Sequence, residues 1–309
     1  MVHARISLVF NGWLTVPTHK HMTHPIVPHL WFSTQAKEAA TWYASLFPQS
    51  RISSVITLPD TPSGNCDLVS FELVGQPFMA ISAGPYFTLN PAISFFVICD
   101  TQEEIDALYA ALSAGGTMLM PYDTYPWAKK YCWLQDRYGV SWQLSLRDDE
   151  RAKQKITPML MFTQAVAGKA KEALELYTKV FPQSSIDALA LYDANDGDTI
   201  GTIKHGRFTL NGQAFMAIDS SLGHQFTFNE AVSLVVTCDT QEEIDHYWEK
   251  LSAVPAAEQC GWLKDRYGVS WQITPSLIAE IMASGDAEKI SRVTKAFLQM
   301  KKFDGVVSK

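Results

Sequence analysis

The stretch CDTQEEID at residues 99–106 returns unchanged at 238–245, and DRYGVSWQ at 136–143 returns unchanged at 265–272. Two further motifs recur in the same order: FPQS at 47–50 and 181–184, and GQPFMAI at 75–81 as GQAFMAI at 212–218. Because both the sequences and their order agree, the chain is a tandem duplication, and its fold is that of one repeat built twice.

The spacing between the copies locates one difference between them. It is 139 residues at CDTQEEID and falls to 129 at DRYGVSWQ, so the second copy has lost ten residues. The lost residues correspond to the region 115–127 of the first copy, and the two copies need not share a site. From these landmarks we predict a leader, two domains and a C-terminal extension, at 1–24, 25–150, 151–275 and 276–309.

Hydrophobic spacing within the repeats predicts an α+β fold. Apolar residues at helical spacing in 36–47, and again in 170–181, predict one helix in each copy that ends before a proline. Residues 101–104 have the composition of a capping box for a second helix. Each repeat is then a pair of strand–helix–three-strand modules with curved mixed sheets. The extension is predicted to form two helices, the first of them capped by Ser276.

Composition and charge exclude several classes of protein. Hydrophobic residues make up 47% of the chain and charged residues 18%, with a formal net charge of −7 and no basic block. These values argue against disorder and against a mainly electrostatic nucleic-acid binder. No apolar run reaches the roughly 18 residues of a membrane span, so we expect no membrane partner. Five cysteines without a Cys-x-x-Cys pair suit reduced thiols in a cytoplasmic protein.

The motifs resemble those of a known superfamily. Paired modules, a Phe-Pro after the first helix and the D-x-x-G-x-x-x-Q pattern at 136–143 resemble the vicinal oxygen chelate superfamily of glyoxalases and bleomycin-resistance proteins. More narrowly, FPQS, GQPF, CDTQEE and DRYGVSWQ resemble its PhnB-like branch, labelled 3-demethylubiquinone-9 3-methyltransferase. The resemblance covers residues 25–275 and implies two glyoxalase-like domains.

The resemblance also implies where a metal would bind. Metal-dependent members of the superfamily place His, Glu or Gln on the inner face of the sheet, where a divalent ion holds two substrate oxygens. The first copy offers only His29 and Gln143 at these positions, and the second offers Gln272, with Asp219 as a further candidate. Since two neutral ligands do not make a tight divalent site, we predict no metal and no other cofactor. If a metal binds, His29 and Gln143 hold it.

Aromatic residues concentrate next to the region that only the first copy retains. Small-molecule pockets are usually lined by aromatic walls with a few polar groups, and Lys129 and Lys130 lie beside these rings and suit an anionic ligand. The alternative is that the rings only seal a sheet edge. The residues that we predict to bind a ligand are His29, Trp31, Tyr125, Trp127, Tyr131, Trp133 and Gln143.

The sequence therefore predicts a protein that binds a small aromatic or anionic molecule without a metal, and it assigns no catalytic residue. Three alternatives stay open. They are a metal-dependent lyase, isomerase or dioxygenase, a methyltransferase that uses S-adenosylmethionine, and a partner-binding module built on the C-terminal helices. Because single-repeat relatives commonly pair, the resemblance also implies an intramolecular pseudo-dimer and leaves a homodimer open.

Overall fold

A computed structural model of the chain describes residues 24–147 and 154–305. Of the predicted leader, only His24 lies within these ranges, and most of the charged segment that joins the repeats, 148–153, lies outside them.

The first repeat folds as two strand–helix–three-strand modules. The first module consists of β1 (Val27–Phe32), α1 (Ala36–Leu46), β2 (Arg51–Thr61), β3 (Gly64–Leu73) and β4 (Gln76–Ser82). The second consists of β5 (Ile93–Cys99), α2 (Gln102–Ser113), β6 (Thr117–Tyr125), β7 (Ala128–Gln135) and β8 (Ser141–Leu146).

The second repeat has the same order with one strand fewer. Its first module consists of β9 (Ile156–Phe162), α3 (Ala170–Val180), β10 (Ser185–Leu191), β11 (Ile203–Leu210) and β12 (Gln213–Asp219). Its second module consists of β13 (Val232–Cys238), α4 (Gln241–Leu251), β14 (Trp262–Lys264) and β15 (Ser270–Pro275). The counterpart of β6 is missing because the ten-residue deletion falls there. Two helices follow, α5 (Ser276–Ala283) and α6 (Ala287–Phe297).

Each sheet combines modules from different repeats. Sheet A has the strand order β14-β15-β13-β1-β4-β3-β2, and sheet B has the order β10-β11-β12-β9-β5-β8-β7-β6. Antiparallel pairs join the modules: β1 pairs with β13, with His29 opposite Ser233, and β5 pairs with β9, with Ser94 opposite Met159. The first module of each repeat therefore completes the sheet of the other repeat's second module, and neither sheet closes on itself.

The hydrophobic core lies between the two sheets. Phe78 of β4 in sheet A contacts Phe95 of β5 in sheet B, with ring centroids 5.1 Å apart. Because side chains alternate along a strand, Leu30 points into this core and its neighbour His29 points away from it. We call the outward side of sheet A the His29 face and the outward side of sheet B, which carries Met159, the Met159 face.

The DRYGVSWQ motif ties a hairpin to a helix in each repeat. Asp265 accepts hydrogen bonds from the backbone N–H groups of Tyr267 and Val269, at 2.8 and 3.0 Å. Its other oxygen accepts from the Tyr177 hydroxyl at 2.6 Å and from Trp271 Nε1 at 2.9 Å. Asp136 makes the equivalent bonds in the first repeat, to Tyr138, Val140, Tyr43 and Trp142. Both buried carboxylates are therefore fully used in holding the fold.

Two expectations about helix starts need correction. Ser276 is the first residue of α5, but the N-cap is Pro275 and no side chain caps the helix, because the chain enters it directly from β15. The Thr101 hydroxyl caps α2 as predicted, since it accepts from the backbone N–H of Glu104 at 3.2 Å. Among the described helices, however, the reciprocal capping box is complete only in α4, between Thr240 and Glu243. In α2 the carboxylate of Glu104 instead accepts from the backbone N–H of Asp100, at 2.7 Å.

The C-terminal extension crosses sheet A from edge to edge. Helix α6 contacts β2, whose core side is already covered by α1. At the opposite edge, the backbone N–H groups of Cys260 and Gly261 donate to the carbonyls of Met300 and Lys301, at 2.8 and 2.7 Å. The extension therefore lies over the His29 face. None of the helices that the structure describes is long and apolar enough to span a bilayer.

Candidate functional site

The structure divides the seven predicted ligand-binding residues between the two outward faces. His29 and Trp31 lie on β1 in sheet A, whereas Gln143 lies on β8 in sheet B. Because the modules pair across repeats, the counterpart of Gln143 in sheet A is Gln272 of the second repeat. His29 and Gln143 therefore do not belong to one site. The remaining residues, Tyr125, Trp127, Tyr131 and Trp133, lie on sheet B or at the tip of its β6–β7 hairpin.

A row of polar residues crosses the middle of the His29 face. The register pairs His29 of β1 with Ser233 of β13, and Ser233 with Ser270 of β15. Two residues further along β15, Gln272 donates from Nε2 to Ser233 Oγ at 2.9 Å. Neighbouring strands lie about 4.8 Å apart, so the two ends of the row, on β1 and β15, are about 10 Å apart.

Both ends of this row carry a buried atom without a hydrogen-bond partner. Four such side-chain atoms occur in the described part of the chain, and His29 Nδ1 and Ser270 Oγ are two of them. A third, Thr294 Oγ1, belongs to α6 in the extension that crosses this face. An unpaired buried polar atom costs about 1–3 kcal/mol. Such atoms therefore indicate a place that a ligand or an ordered water completes.

His29 is held in its neutral form. Its side chain is 2% exposed, and burial lowers its pKa from 6.5 to about 4. A neutral imidazole has one nitrogen that donates and one that accepts, so Nδ1 can take either role depending on the tautomer. The ring meets Trp262 of β14 edge-on, with centroids 5.6 Å apart.

An aromatic group borders the polar row. The Trp31 ring contacts Phe87, Trp262 and Tyr86, at centroid distances of 5.0, 6.1 and 6.4 Å. Its Nε1 donates to the carbonyl of Gly84 at 2.8 Å, which fixes the orientation of the ring. The His29 face thus combines unmet hydrogen-bonding atoms with an aromatic wall, as small-molecule sites commonly do.

The equivalent row on the Met159 face is internally complete. Gln143 Oε1 accepts from the Tyr131 hydroxyl at 2.7 Å. Its Nε2 donates to Ser94 Oγ at 2.8 Å and lies 3.0 Å from Met159 Sδ. Methionine occupies the position of His29, so this face has no imidazole at its centre. Every polar atom of the Gln143 amide already has a partner.

One tryptophan accounts for much of the difference between the faces. On the Met159 face, Trp133 donates from Nε1 to Ser141 Oγ at 2.8 Å. Its counterpart Trp262 packs against His29, and its indole Nε1 has no hydrogen-bond partner among the described residues. The Ser270 hydroxyl, which corresponds to that of Ser141, therefore has no indole donor.

The aromatic residues of the β6–β7 hairpin form a separate cluster. Tyr125 stacks on Trp127 with centroids 4.9 Å apart, and the Tyr125 hydroxyl donates to the carbonyl of Pro121 at 2.9 Å. Trp127 is 56% exposed at the hairpin tip. Tyr131 meets both rings edge-on below them. This cluster borders the Met159 face and lies in the other sheet from His29.

Comparison with known proteins places this geometry in a family. The model of the 3-demethylubiquinone-9 3-methyltransferase family matches the chain twice, at residues 24–145 and 154–274. The chain belongs to this family. The two matches correspond to the two repeats, so the family's unit is one repeat and the chain contains two.

Two solved structures are similar to parts of the chain. A PhnB protein from Bacillus cereus, labelled a 3-demethylubiquinone-9 3-methyltransferase, is 41% identical and is covered completely by 40% of this chain, with a TM-score of 0.38. Glyoxalase I from Zea mays is 10% identical over 84% of this chain and 95% of its own, with a TM-score of 0.52. The second likeness shows the glyoxalase fold alone. No curated protein matches the chain.

The residues of the His29 face do not fit the divalent metal of metal-dependent glyoxalase-like proteins. His29 is flanked by Met79 on β4 and Ser233 on β13, with Gln272 beyond them on β15. This set contains one imidazole, one amide and no carboxylate, whereas divalent ions in such sites need several strong ligands. In the ranges 24–147 and 154–305, no three His, Cys, Asp or Glu residues come together in a way that could hold a metal.

Asp219, the further metal candidate of the second copy, has a structural role. Its Oδ1 accepts from the backbone N–H of Ala170 at 3.0 Å, at the start of α3. Its Oδ2 accepts from the backbone N–H of Ile203 at 2.9 Å. The carboxylate is buried and therefore serves the helix start and the neighbouring strand.

Sequence reasoning missed three residues of the His29 face, namely Ser233, Trp262 and Ser270, and named a fourth, Gln272, only as a metal candidate of the second copy. The signal was present in the duplication, because each is the counterpart of a first-copy residue: Ser94, Trp133, Ser141 and Gln143. What the sequence did not show is that modules pair between repeats, which brings second-copy residues next to His29.

Proposed function

We propose that the protein binds one small organic molecule on the His29 face of sheet A without a metal. The observation that carries the proposal is the pair of buried, unpartnered atoms at the two ends of the polar row, His29 Nδ1 and Ser270 Oγ. The matching row on the Met159 face has no such atoms, although it uses the same strands of the repeat. A ligand that bonds to these atoms would remove their desolvation cost.

Binding suits His29 better than acid–base catalysis does. A general base works best when its pKa lies near the operating pH. Burial lowers the pKa of His29 to about 4, so at neutral pH it is a weak base but an uncharged hydrogen-bonding group. This property favours a sequestering protein over an enzyme that moves protons through His29.

The metal-dependent alternative is disfavoured by the ligand set, which has no carboxylate. The methyltransferase alternative requires a site for S-adenosylmethionine, and such cofactors usually bind at a Gly-rich turn between a parallel strand and a helix. None of the four strand-to-helix turns of the two repeats is Gly-rich: residues 33–35, 100–101 and 239–240 contain no glycine, and residues 163–169 contain only Gly168. We therefore use the label only as the name of the family and do not propose methyltransferase activity for this chain.

Native mass spectrometry of the full-length chain, purified without a tag, tests the proposal. We expect one co-purified organic molecule per chain in the wild type and in the control variant Met159→Leu, and a clearly lower occupancy in His29→Met. The control changes the equivalent position of the other sheet. A stoichiometric divalent metal, a ligand occupancy in His29→Met equal to that of the wild type, or a bare wild-type chain would each contradict the proposal.

A further inference from the structure

The polar row and its surroundings also restrict the chemical class of the ligand, and this step rests on the function proposed above. We infer that the His29 face takes an uncharged, flat aromatic molecule with a hydrogen-bonding group at each end, about 10 Å apart. Three features of the site support it: the charges around the polar row, the aromatic side chains that border the row, and the distance between its two unpartnered atoms.

The charge of the site argues against an ionised ligand. His29 is neutral because it is buried. The cation that the strands place nearest to the row, Lys264 of β14, already pairs with Glu230 at 2.8 Å. Moving a carboxylate out of water without a paired cation is costly. An anion therefore gains nothing here that compensates for its lost hydration.

The wall of the site favours a flat ring. Trp31 and Trp262 meet at 77° beside His29, and Phe87 stands at 81° to Trp31. Aromatic rings stabilise one another in offset-stacked or edge-to-face arrangements. Trp262 Nε1 has no partner among the described residues and offers a donor at this wall.

The spacing of unmet atoms favours a molecule with two polar ends. His29 Nδ1 lies on β1 and Ser270 Oγ on β15, with β13 between them. The hydroxyl of the middle residue, Ser233, is already occupied by Gln272. A ligand with one polar group would complete one end of the row and leave the other unpaired.

Isothermal titration of the full-length chain with three probes tests the inference. The probes are 6-hydroxy-2-naphthamide, which is neutral with two polar ends, its anionic analogue 6-hydroxy-2-naphthoate, and 2-naphthamide, which lacks one end. At pH 7.5 we expect the first to bind at least about tenfold more tightly than the naphthoate. We expect it to bind about three- to tenfold more tightly than 2-naphthamide.

Variants connect the binding to the row. His29→Met and Ser270→Ala should each weaken the first probe by about three- to tenfold, whereas Ser141→Ala, the matched change in sheet B, should not. Tighter binding of the naphthoate would overturn the inference on charge, and equal binding of 2-naphthamide would overturn the two-ended ligand. In both cases the proposed site would stand if His29→Met still weakened the binding of the probes. If His29→Met leaves the affinity for every probe unchanged, both the inference and the proposed site are overturned.

Discussion

Replacing His29 by methionine, the residue at the equivalent position of the second copy, should change how stability depends on pH. In the folded chain, burial lowers the pKa of His29 from 6.5 to about 4. The unfolded chain therefore takes up a proton at this residue as the pH falls through about 6.5, while the folded chain does so only near pH 4. Proton uptake by the unfolded chain favours unfolding. The free energy of unfolding should thus be fully retained above pH 6.5 and should fall as the pH is lowered towards 4.

The magnitude follows from the two pKa values. A pKa lowered from 6.5 to about 4 corresponds to a loss of about 3 kcal/mol once the pH is below both values, because one pKa unit is worth about 1.4 kcal/mol. Since the side chain is 2% exposed, solvent screening reduces this figure little. His29→Met removes the titrating group together with an unpaired buried nitrogen. At pH 7.5 we therefore expect its stability to lie within about 1 kcal/mol of the wild type.

Urea unfolding followed by tryptophan fluorescence at pH 7.5, 6.5, 5.5 and 4.5 measures the effect. The informative quantity is the difference in unfolding free energy between wild type and His29→Met, in which the other histidines cancel. Between pH 7.5 and pH 4.5, the unfolding free energy of His29→Met should rise by about 2 kcal/mol relative to that of the wild type. A difference that stays constant with pH would refute the buried, neutral imidazole, and with it the charge on which the proposed ligand class depends.

Three further substitutions test the fold around the site. Asp265→Asn should lower the unfolding free energy by about 2–5 kcal/mol, because two of the four groups that donate to the carboxylate lose their acceptor. The half-exposed control Asp245→Asn should lower it by less than about 1 kcal/mol. Comparable losses in the two variants would contradict the role of Asp265 in holding the fold. Gly261→Ala should lower the unfolding free energy by at least about 2 kcal/mol and expose the extension to proteolysis. The new Cβ would lie 2.4 Å from the Phe303 ring, and the backbone φ at this residue is +82°. Unchanged proteolysis would contradict the packing of Phe303 on Gly261. Trp127→Ala should leave the unfolding free energy within about 0.5 kcal/mol of the wild type and ligand binding unchanged, because the ring is 56% exposed and belongs to sheet B. A loss of ligand binding would place the site on the Met159 face instead.

Local patterns were sufficient for most elements but not for β6. Helices α1 and α3 follow directly from apolar residues at helical spacing and end where a proline comes next. Strand β6 shows no regular alternation, since it contains Pro121 and projects with both faces partly exposed. Its formation depends on pairing with β7, which is interrupted by register shifts. Such a strand is specified by its partner and not by its own sequence.

The site was harder to predict than the fold because its residues come from both repeats. A duplicated sequence is equally compatible with modules that pair within a repeat and with modules that pair between repeats. The motifs on β1 and β8 of the first copy therefore suggested that His29 and Gln143 share a site. The pairing of His29 with Ser233 shows the other arrangement, and it depends on contacts more than two hundred residues apart in the chain.

The deletion and the C-terminal extension are best understood together. In sheet B, β6 pairs with β7, where Asp123 lies opposite Tyr131. The counterpart of Tyr131 in sheet A is Cys260, whose N–H donates to the carbonyl of Met300, since the second copy has no β6. The extension thus supplies, on the His29 face, main-chain acceptors at the edge that the deletion uncovered. Because Tyr131 is also the residue whose hydroxyl completes Gln143, its replacement by cysteine removes that donor from the Gln272 side. The same local change therefore covers the sheet edge with a new segment and removes one hydrogen-bond donor from the polar row beneath it.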